Sequence, residues 1–198
     1  MRGKIKIHII IFFVLNSTLS CTSQERKAQA QRDIEIAENL VKQNLSYTPN
    51  LNDSNRNGFT KALNYINKAI ELEPQNVRAY KDKLTILNNL GITPDPTILI
   101  KLLELDPNFA EGYIQLGQIY EKLNKIDSAT ISYKNARSIY LKKPSNDLRN
   151  LNLIVIEFLI TNDKNEALNK LQEFPILNTN LKEAVQNDIN EIMKSRLR

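Results

Sequence analysis

The chain has 198 residues, with 27 Lys and Arg against 22 Asp and Glu, 41% hydrophobic residues, 5 Gly, 7 Pro and no Trp. That is enough for one ordinary domain with a real core; the apolar content excludes a disordered chain, and low Gly with few aromatics argues against a β-sandwich or barrel. The only histidine is His8 and the only cysteine is Cys21, so residues 22–198 hold neither the imidazole nor the thiol that Ser-His-Asp catalysis, Cys-His catalysis and Cys/His zinc sites require.

Residues 1–21 read MRGKIKIHIIIFFVLNSTLSC. Arg2, Lys4 and Lys6 make a basic start, residues 9–15 an unbroken apolar run, and residues 17–20 a small polar stretch. This order predicts a secretory signal, and the apolar run is far short of the ~20 residues that span a bilayer as a helix. The segment Thr18-Leu19-Ser20-Cys21 resembles a bacterial lipobox, with Thr18 where Leu is usual. The resemblance implies that 1–20 is a lipoprotein signal peptide and that Cys21 becomes the acylated first residue, followed by a short tether or helix start at 21–31. Removal of 1–20 would take away three positive charges and leave 24 basic against 22 acidic side chains, a net of +2. No basic run with interleaved aromatics remains, so nucleic acid is not an expected partner.

The next element is helical. Residues 22–45 are predicted as one helix opened by Thr22-x-x-Glu25, a capping-box pattern. The stretch 46–58, SYTPNLNDSNRNG, reads as an exposed Asn-rich loop. Within it, Asp53-x-Asn55-x-Asn57-Gly58 resembles the opening of an EF-hand loop, but Lys61 and Asn64 stand at its ninth and twelfth positions, where a further ligand and a bidentate Glu belong. The loop reading is therefore preferred, and no metal or cofactor is expected.

Self-similarity appears from residue 69 onward. AIELEPQNVRAY at 69–80 aligns with LLELDPNFAEGY at 102–113, so that Pro74 and Tyr80 recur as Pro107 and Tyr113. The third copy is the fullest. Tyr113, Leu116, Gly117, Tyr120, Ala129, Tyr133 and Ala136 occupy positions 4, 7, 8, 11, 20, 24 and 27 of a 34-residue unit. This resembles the tetratricopeptide repeat. Gly117 and Ala129 are read as the small residues where two helices of one hairpin cross, Tyr113, Tyr120 and Tyr133 as filling between hairpins.

Other units are looser. Ala62, Ile66 and Ala69 hold the second-helix positions of the first. In the second, Leu90-Gly91 ends one helix and Pro96 starts the next. The fourth keeps Leu151, Ile154, Val155, Phe158, Ala167 and Leu171 without the glycine, and residues 179–196 resemble a terminal covering helix through Leu181, Ala184, Val185, Ile189, Ile192 and Met193. The resemblance implies an all-α fold over 32–198: a right-handed α-solenoid of about four hairpins plus a C-terminal capping helix, about nine helices in all.

What remains concerns recognition. Glu71 with Glu73, and Glu104 with Asp106, lie two residues apart on helices, so they point apart and make poor acid/base pairs; a non-catalytic protein is expected. In tetratricopeptide arrays, positions 2, 5, 6, 9, 12 and 13 of each first helix line a concave groove. Here they are Arg78, Lys81, Asp82 and Thr85 in the second unit, then Glu111, Ile114, Gln115, Gln118 and Lys122 in the third. Glu111 and Gln115 stand where a carboxylate clamp needs basic residues, which disfavours capture of chaperone tails. The fourth helix pair begins with LNLIVIEFLI, apolar nearly all round, and puts Asn152, Leu153, Ile156, Leu159 and Ile160 at groove positions. Such a helix is either buried on every side or exposes a binding strip. The partner-binding set expected on the second alternative is Arg78, Lys81, Ile114, Gln118, Lys122, Leu153, Ile156 and Ile160. The function this implies is a lipid-anchored extracytoplasmic interaction scaffold, in the outer membrane of a Gram-negative cell envelope, that takes a peptide or helix of another protein. The alternative, a ligand- or glycan-capture lipoprotein, needs an aromatic platform for which the chain has no Trp.

Overall fold

A computed structural model describes residues 4–45, 53–174 and 179–196. Among these residues nine helices and no strand occur: α1 Lys4–Asn44, α2 Asp53–Leu72, α3 Val77–Asn89, α4 Pro96–Leu105, α5 Ala110–Lys122, α6 Ile126–Lys142, α7 Asp147–Thr161, α8 Lys164–Glu173 and α9 Thr179–Arg196. The fold is all-α and built of helical hairpins. It divides into two compact units, Met1–Pro94 and Asp95–Arg198.

In the first unit α1 packs along α2, and α3 closes on both. Ala30, Ile34 and Ala37 on α1 meet Ala62, Ile66 and Ala69 on α2; each set has the 4-then-3 spacing of one helix face, and the alanines let the backbones approach. Phe59, Ala79, Ile86 and Leu90 complete this core. The expected start of α1 at Thr22 is not a helix end: the helix continues back to Lys4, since no proline or glycine interrupts 4–21, so Thr22 and Glu25 do not open it. Cys21 lies within this helix, and Ala30, fully buried, brings the packed core two residues into the expected 21–31 tether. Among the described residues no helix is long and apolar enough to cross a membrane.

The loop expected over 46–58 is corrected for its second half; 46–52 lie outside the described residues. Residues 53–58 form the first turns of α2. Asn55 is buried, and Gly58 is pressed against the side-chain amide of Asn44 so closely that a Cβ there would overlap it. Gly58 therefore serves helix contact. The alternating oxygens of an EF-hand opening require a turning backbone, which a helix denies them.

Cap chemistry sets the remaining boundaries. Asn76, Asp95, Asn146 and Asp163 accept hydrogen bonds from the backbone N–H of Ala79 (3.1 Å), Thr97 (2.8 Å), Arg149 (2.8 Å) and Glu166 (2.9 Å), each satisfying a first-turn donor. Gly91 ends α3 with φ +68°, as its place after Leu90 predicted. Asn124 and Asn162 make the equivalent left-handed turn after α5 and α7, at φ 57° and 59°.

In the second unit α4 packs on α5, α5 on α6, α6 on α7, α7 on α8, and α9 on both α7 and α8. Leu116, Gly117, Ala129, Tyr133 and Ala136 are buried as the repeat frame predicted. A Cβ on Gly117 would stand 2.7 Å from Tyr133 Cδ1 and 2.8 Å from its Cζ, so the missing side chain is what admits the ring. Tyr133 thus works inside its own hairpin as well as against Leu159 of α7. The fourth unit's Leu151, Ile154, Phe158, Ala167 and Leu171 form one core with Val185 and Ile189 of α9, which runs over the residues expected for a covering helix.

Candidate interaction surface

The groove positions of the first unit lie on α3. Arg78 is half exposed and its guanidinium Nε donates to Glu38 Oε1 of α1 at 2.8 Å; this bond raises its pKa further above the ordinary value. Lys81 is half-buried. Asp82 is half-buried with one carboxylate oxygen lacking a hydrogen-bond partner. Burial first, and the Glu38 charge second, push it up to about 6, against the opposing pull of Arg78. The surface around Arg78 is thus neutralised by its own carboxylates.

In the second unit, Lys122 on α5 is exposed and Gln118 half-buried. Ile114 is partly buried and packs with both Ile156 and Leu159. The expected apolar strip on α7 does not survive. Ile156 is fully buried among Ala110, Ala136 and Tyr140, so it belongs to the core between α7 and the α5/α6 hairpin. Leu153 and Ile160 flank it, partly buried. The helix reads as apolar all round because it has neighbours on opposite faces: Ile156 looks to α5 and α6, while Leu151, Ile154 and Phe158 look to α8 and α9.

The C-terminal helix contributes contacts that no spacing in the sequence signals. Arg196 Nη2 pairs with Glu121 of α5 and donates to Leu159 O at 3.1 Å, Nη1 donates to Asn162 Oδ1 at 2.8 Å, and the guanidinium lies 5.4 Å from the centre of the Phe158 ring. Ile192 of α9 packs in the cluster of Ala129, Tyr133 and Leu159, with Ile114 and Ile160 beside it. Leu159 is itself a groove position and Glu121 adjoins another, Lys122, so the end of α9 occupies part of the face expected for a partner. Glu111, another groove position, accepts a hydrogen bond from the Tyr140 hydroxyl at 2.6 Å. An open cleft of about 580 Å³ lies between α6 and α7, lined by Lys134, Arg137, Ser138, Leu141 and Lys142 from α6 and by Glu157 and Ile160 from α7. Arg137 is ion-paired with Glu157 there. Tyr80, Tyr133 and Tyr140 are buried and offer no stacking platform.

Residues 99–130 match the family model of the tetratricopeptide repeat. That window takes in the end of α4, all of α5 and the first turn of α6, the region where the sequence repeat is fullest. The chain is 30% identical over 112 residues to Hsp70-Hsp90 organizing proteins 2 and 3 of Arabidopsis thaliana, covering 52% of this chain and 20% of each relative. It is 44% identical over 43 residues to the formate-dependent nitrite reductase complex bifunctional subunit NrfFG of Haemophilus influenzae, covering 22% of this chain and 11% of that protein. It thus spans about a fifth, or less, of the length of the relatives it matches. Among solved structures, the first tetratricopeptide domain of Spaghetti (RPAP3), bound to the HSP90 peptide SRMEEVD, aligns at 15% identity with a TM-score of 0.42, over 63% of this chain and 92% of that one.

Proposed function

We propose that this protein is a lipid-anchored, extracytoplasmic tetratricopeptide-repeat lipoprotein that acts as a non-catalytic scaffold for other proteins, in the outer membrane of a Gram-negative envelope. The observation that carries the scaffold reading is the repeat packing of α5 and α6, in which Gly117 admits Tyr133: hairpins stacked in this way present side chains of successive helices on one broad surface. The Hsp70-Hsp90 organizing proteins, similar over half of this chain, support a protein partner. The basic, apolar, small-residue order of 1–20 before Cys21 supports the anchor.

The candidate partner residues form two separate sets: Arg78 and Lys81 on α3 of the first unit, and Gln118, Lys122 and the partly buried Ile114, Leu153 and Ile160 on α5 and α7 of the second. Ile156 is withdrawn from them. The partner is not an acidic C-terminal tail, because Glu38, Asp82 and Glu111 put carboxylates at or beside the groove positions where such a tail needs cations.

Two measurements test this. Metabolic labelling with a fatty-acid analogue should tag the wild-type chain and leave Cys21→Ser untagged; equal tagging refutes the anchor. Crosslinking in native membranes should then capture a protein whose yield drops at least fivefold in Gln118→Ala/Lys122→Glu with melting unchanged; an unaltered yield refutes the surface. A titration with the peptide SRMEEVD should show no binding at micromolar concentrations.

A further inference from the structure

We propose that the exposed face of α6 docks flat against an anionic lipid surface. The proposal rests on the membrane-anchored reading for its location only.

Charge is unevenly spread along the chain. Residues 122–148 hold Lys122, Lys125, Lys134, Arg137, Lys142 and Lys143 against Asp127 and Asp147, a net of +4. With residues 1–20 set aside, the whole chain is +2, so everything outside this segment is net acidic at −2. The same segment contains five of the large hydrophobic residues exposed among the described ones: Leu123, Ile126, Ile131, Leu141 and Leu148.

On α6 the two features coincide. At 100° per residue, Ile126, Arg137, Leu141, Lys134, Ser138, Ile131 and Lys142 fall within one arc of about 160°, opposite the buried Ala129, Ser132, Ala136 and Tyr140. Ile126 is 56% exposed, Ile131 60% and Leu141 46%, the exposure of side chains that protrude beyond a surface. No ion pair among the described residues involves Lys134 or Lys142. Asp127 is the one acid on the arc and sits in the first turn, where the helix dipole favours it.

A helix laid parallel to a bilayer puts its aliphatic side chains into the boundary below the headgroups, while lysines reach along the surface to phosphates. That is the composition of this face. A 17-residue helix is about 25 Å long, enough to present all three aliphatics at once. Part of this face, Lys134, Arg137, Ser138, Leu141 and Lys142, also rims the open cleft toward α7, where Arg137 is paired with Glu157, so Lys134 and Lys142 are the cations the face offers to phosphates.

The test uses the full chain carrying Cys21→Ser, so that one thiol can be placed at will. An environment-sensitive fluorophore is attached at Ser138→Cys on the α6 face, or at Gln186→Cys on the exposed side of α9 as the control. Vesicles of phosphatidylglycerol and phosphatidylcholine, or of phosphatidylcholine alone, are added. Emission at 138 should rise at least twofold with the anionic vesicles only, fall back in 0.5 M NaCl, and stay flat at 186. Lys134→Gln/Lys142→Gln should weaken the response about 25-fold in lipid concentration, at roughly fivefold for each cation removed. Equal responses at 138 and 186, or no loss in the double variant, would overturn the proposal, as would a response at 138 reproduced by a polyglutamate peptide without lipid. Because Cys21 is absent throughout, failed acylation leaves this result untouched.

Discussion

Helices α6 and α7 are neighbours of similar length, and both are rich in aliphatic residues, yet they handle them in opposite ways. Helix α7 buries Leu151, Ile156, Phe158 and Leu159 almost completely and leaves Leu148 of its first turn open, whereas α6 leaves Ile126, Ile131 and Leu141 46–60% exposed along its length. The cause lies in how many sides are covered. Helix α7 has α6 on one side and α8 with α9 on the others, whereas among the described residues α6 packs chiefly on α5 and α7. An aliphatic side chain is therefore a core residue or a surface residue according to its neighbours, and apolar density along the helix reports only how many neighbours to expect.

The sharpest way to break this comparison is to put a charge at matching aliphatics. Ile156→Glu should cost about 3–5 kcal/mol, the penalty of an unpaired charge in a core, and should lower the melting temperature markedly. Ile131→Glu is its counterpart on the open face of α6. If the two variants melt together, α7 is not covered on both faces.

Next in size is the spacing of the α5/α6 hairpin. Gly117→Leu should cost about 3 kcal/mol by overpacking against Tyr133. Even Gly117→Ala should lose about 1 kcal/mol, because the clash outweighs the ~1 kcal/mol helix-propensity gain. Denaturant midpoints measure both. A stabilised Gly117→Ala would show that the ring can move aside.

Arg196→Ala tests what covers α7. It should cost about 2 kcal/mol, since it leaves the Glu121 carboxylate, four-fifths buried, without its cation and Leu159 O and Asn162 without a donor. Faster amide exchange confined to α9 and the end of α5 would accompany it.

Asp82 provides the pH-dependent case. Its carboxyl titrates near pH 6 in the folded chain and near 3.8 when unfolded, so ionisation works against folding. The penalty is absent below about pH 4, grows between pH 4 and 6, and is complete above pH 6. Asp82→Asn should then gain about 1 kcal/mol at pH 7, after allowing for partial exposure to solvent, and nothing at pH 4. A gain that is equal at both values would trace to something other than charge. The smallest effect belongs to Ile131→Glu on the open face of α6, which should leave stability within about 0.5 kcal/mol.

Sequence pattern carried the hairpins well where small residues repeat. Gly117, Ala129 and Ala136 are informative because only a close helix crossing rewards their lack of side chain, and Leu90-Gly91 marked a helix end through its backbone alone. It carried polar and isolated positions poorly. Ser132, whose polar side chain gives no sign of a core position, is buried with its hydroxyl donating to Ser128 O at 2.9 Å, a bond within its own helix that lets a serine take such a position. The run from Asp53 to Gly58 has the composition of a turn, yet contact of Gly58 with Asn44 and burial of Asn55 and Phe59 hold it helical.

Periodicity and caps alone made this protein all-α and marked the small residues that set hairpin spacing and the helix end at Leu90-Gly91, because these are local properties of ten or twenty residues. Only the tertiary structure decided that Ile156 is core, that Arg196 reaches Glu121 seventy-five positions away, and that α6 keeps a basic, aliphatic face open to solvent. Those facts depend on which helix faces meet, and packing between elements distant in the chain is settled by the shape of the whole unit rather than by any pattern within one helix.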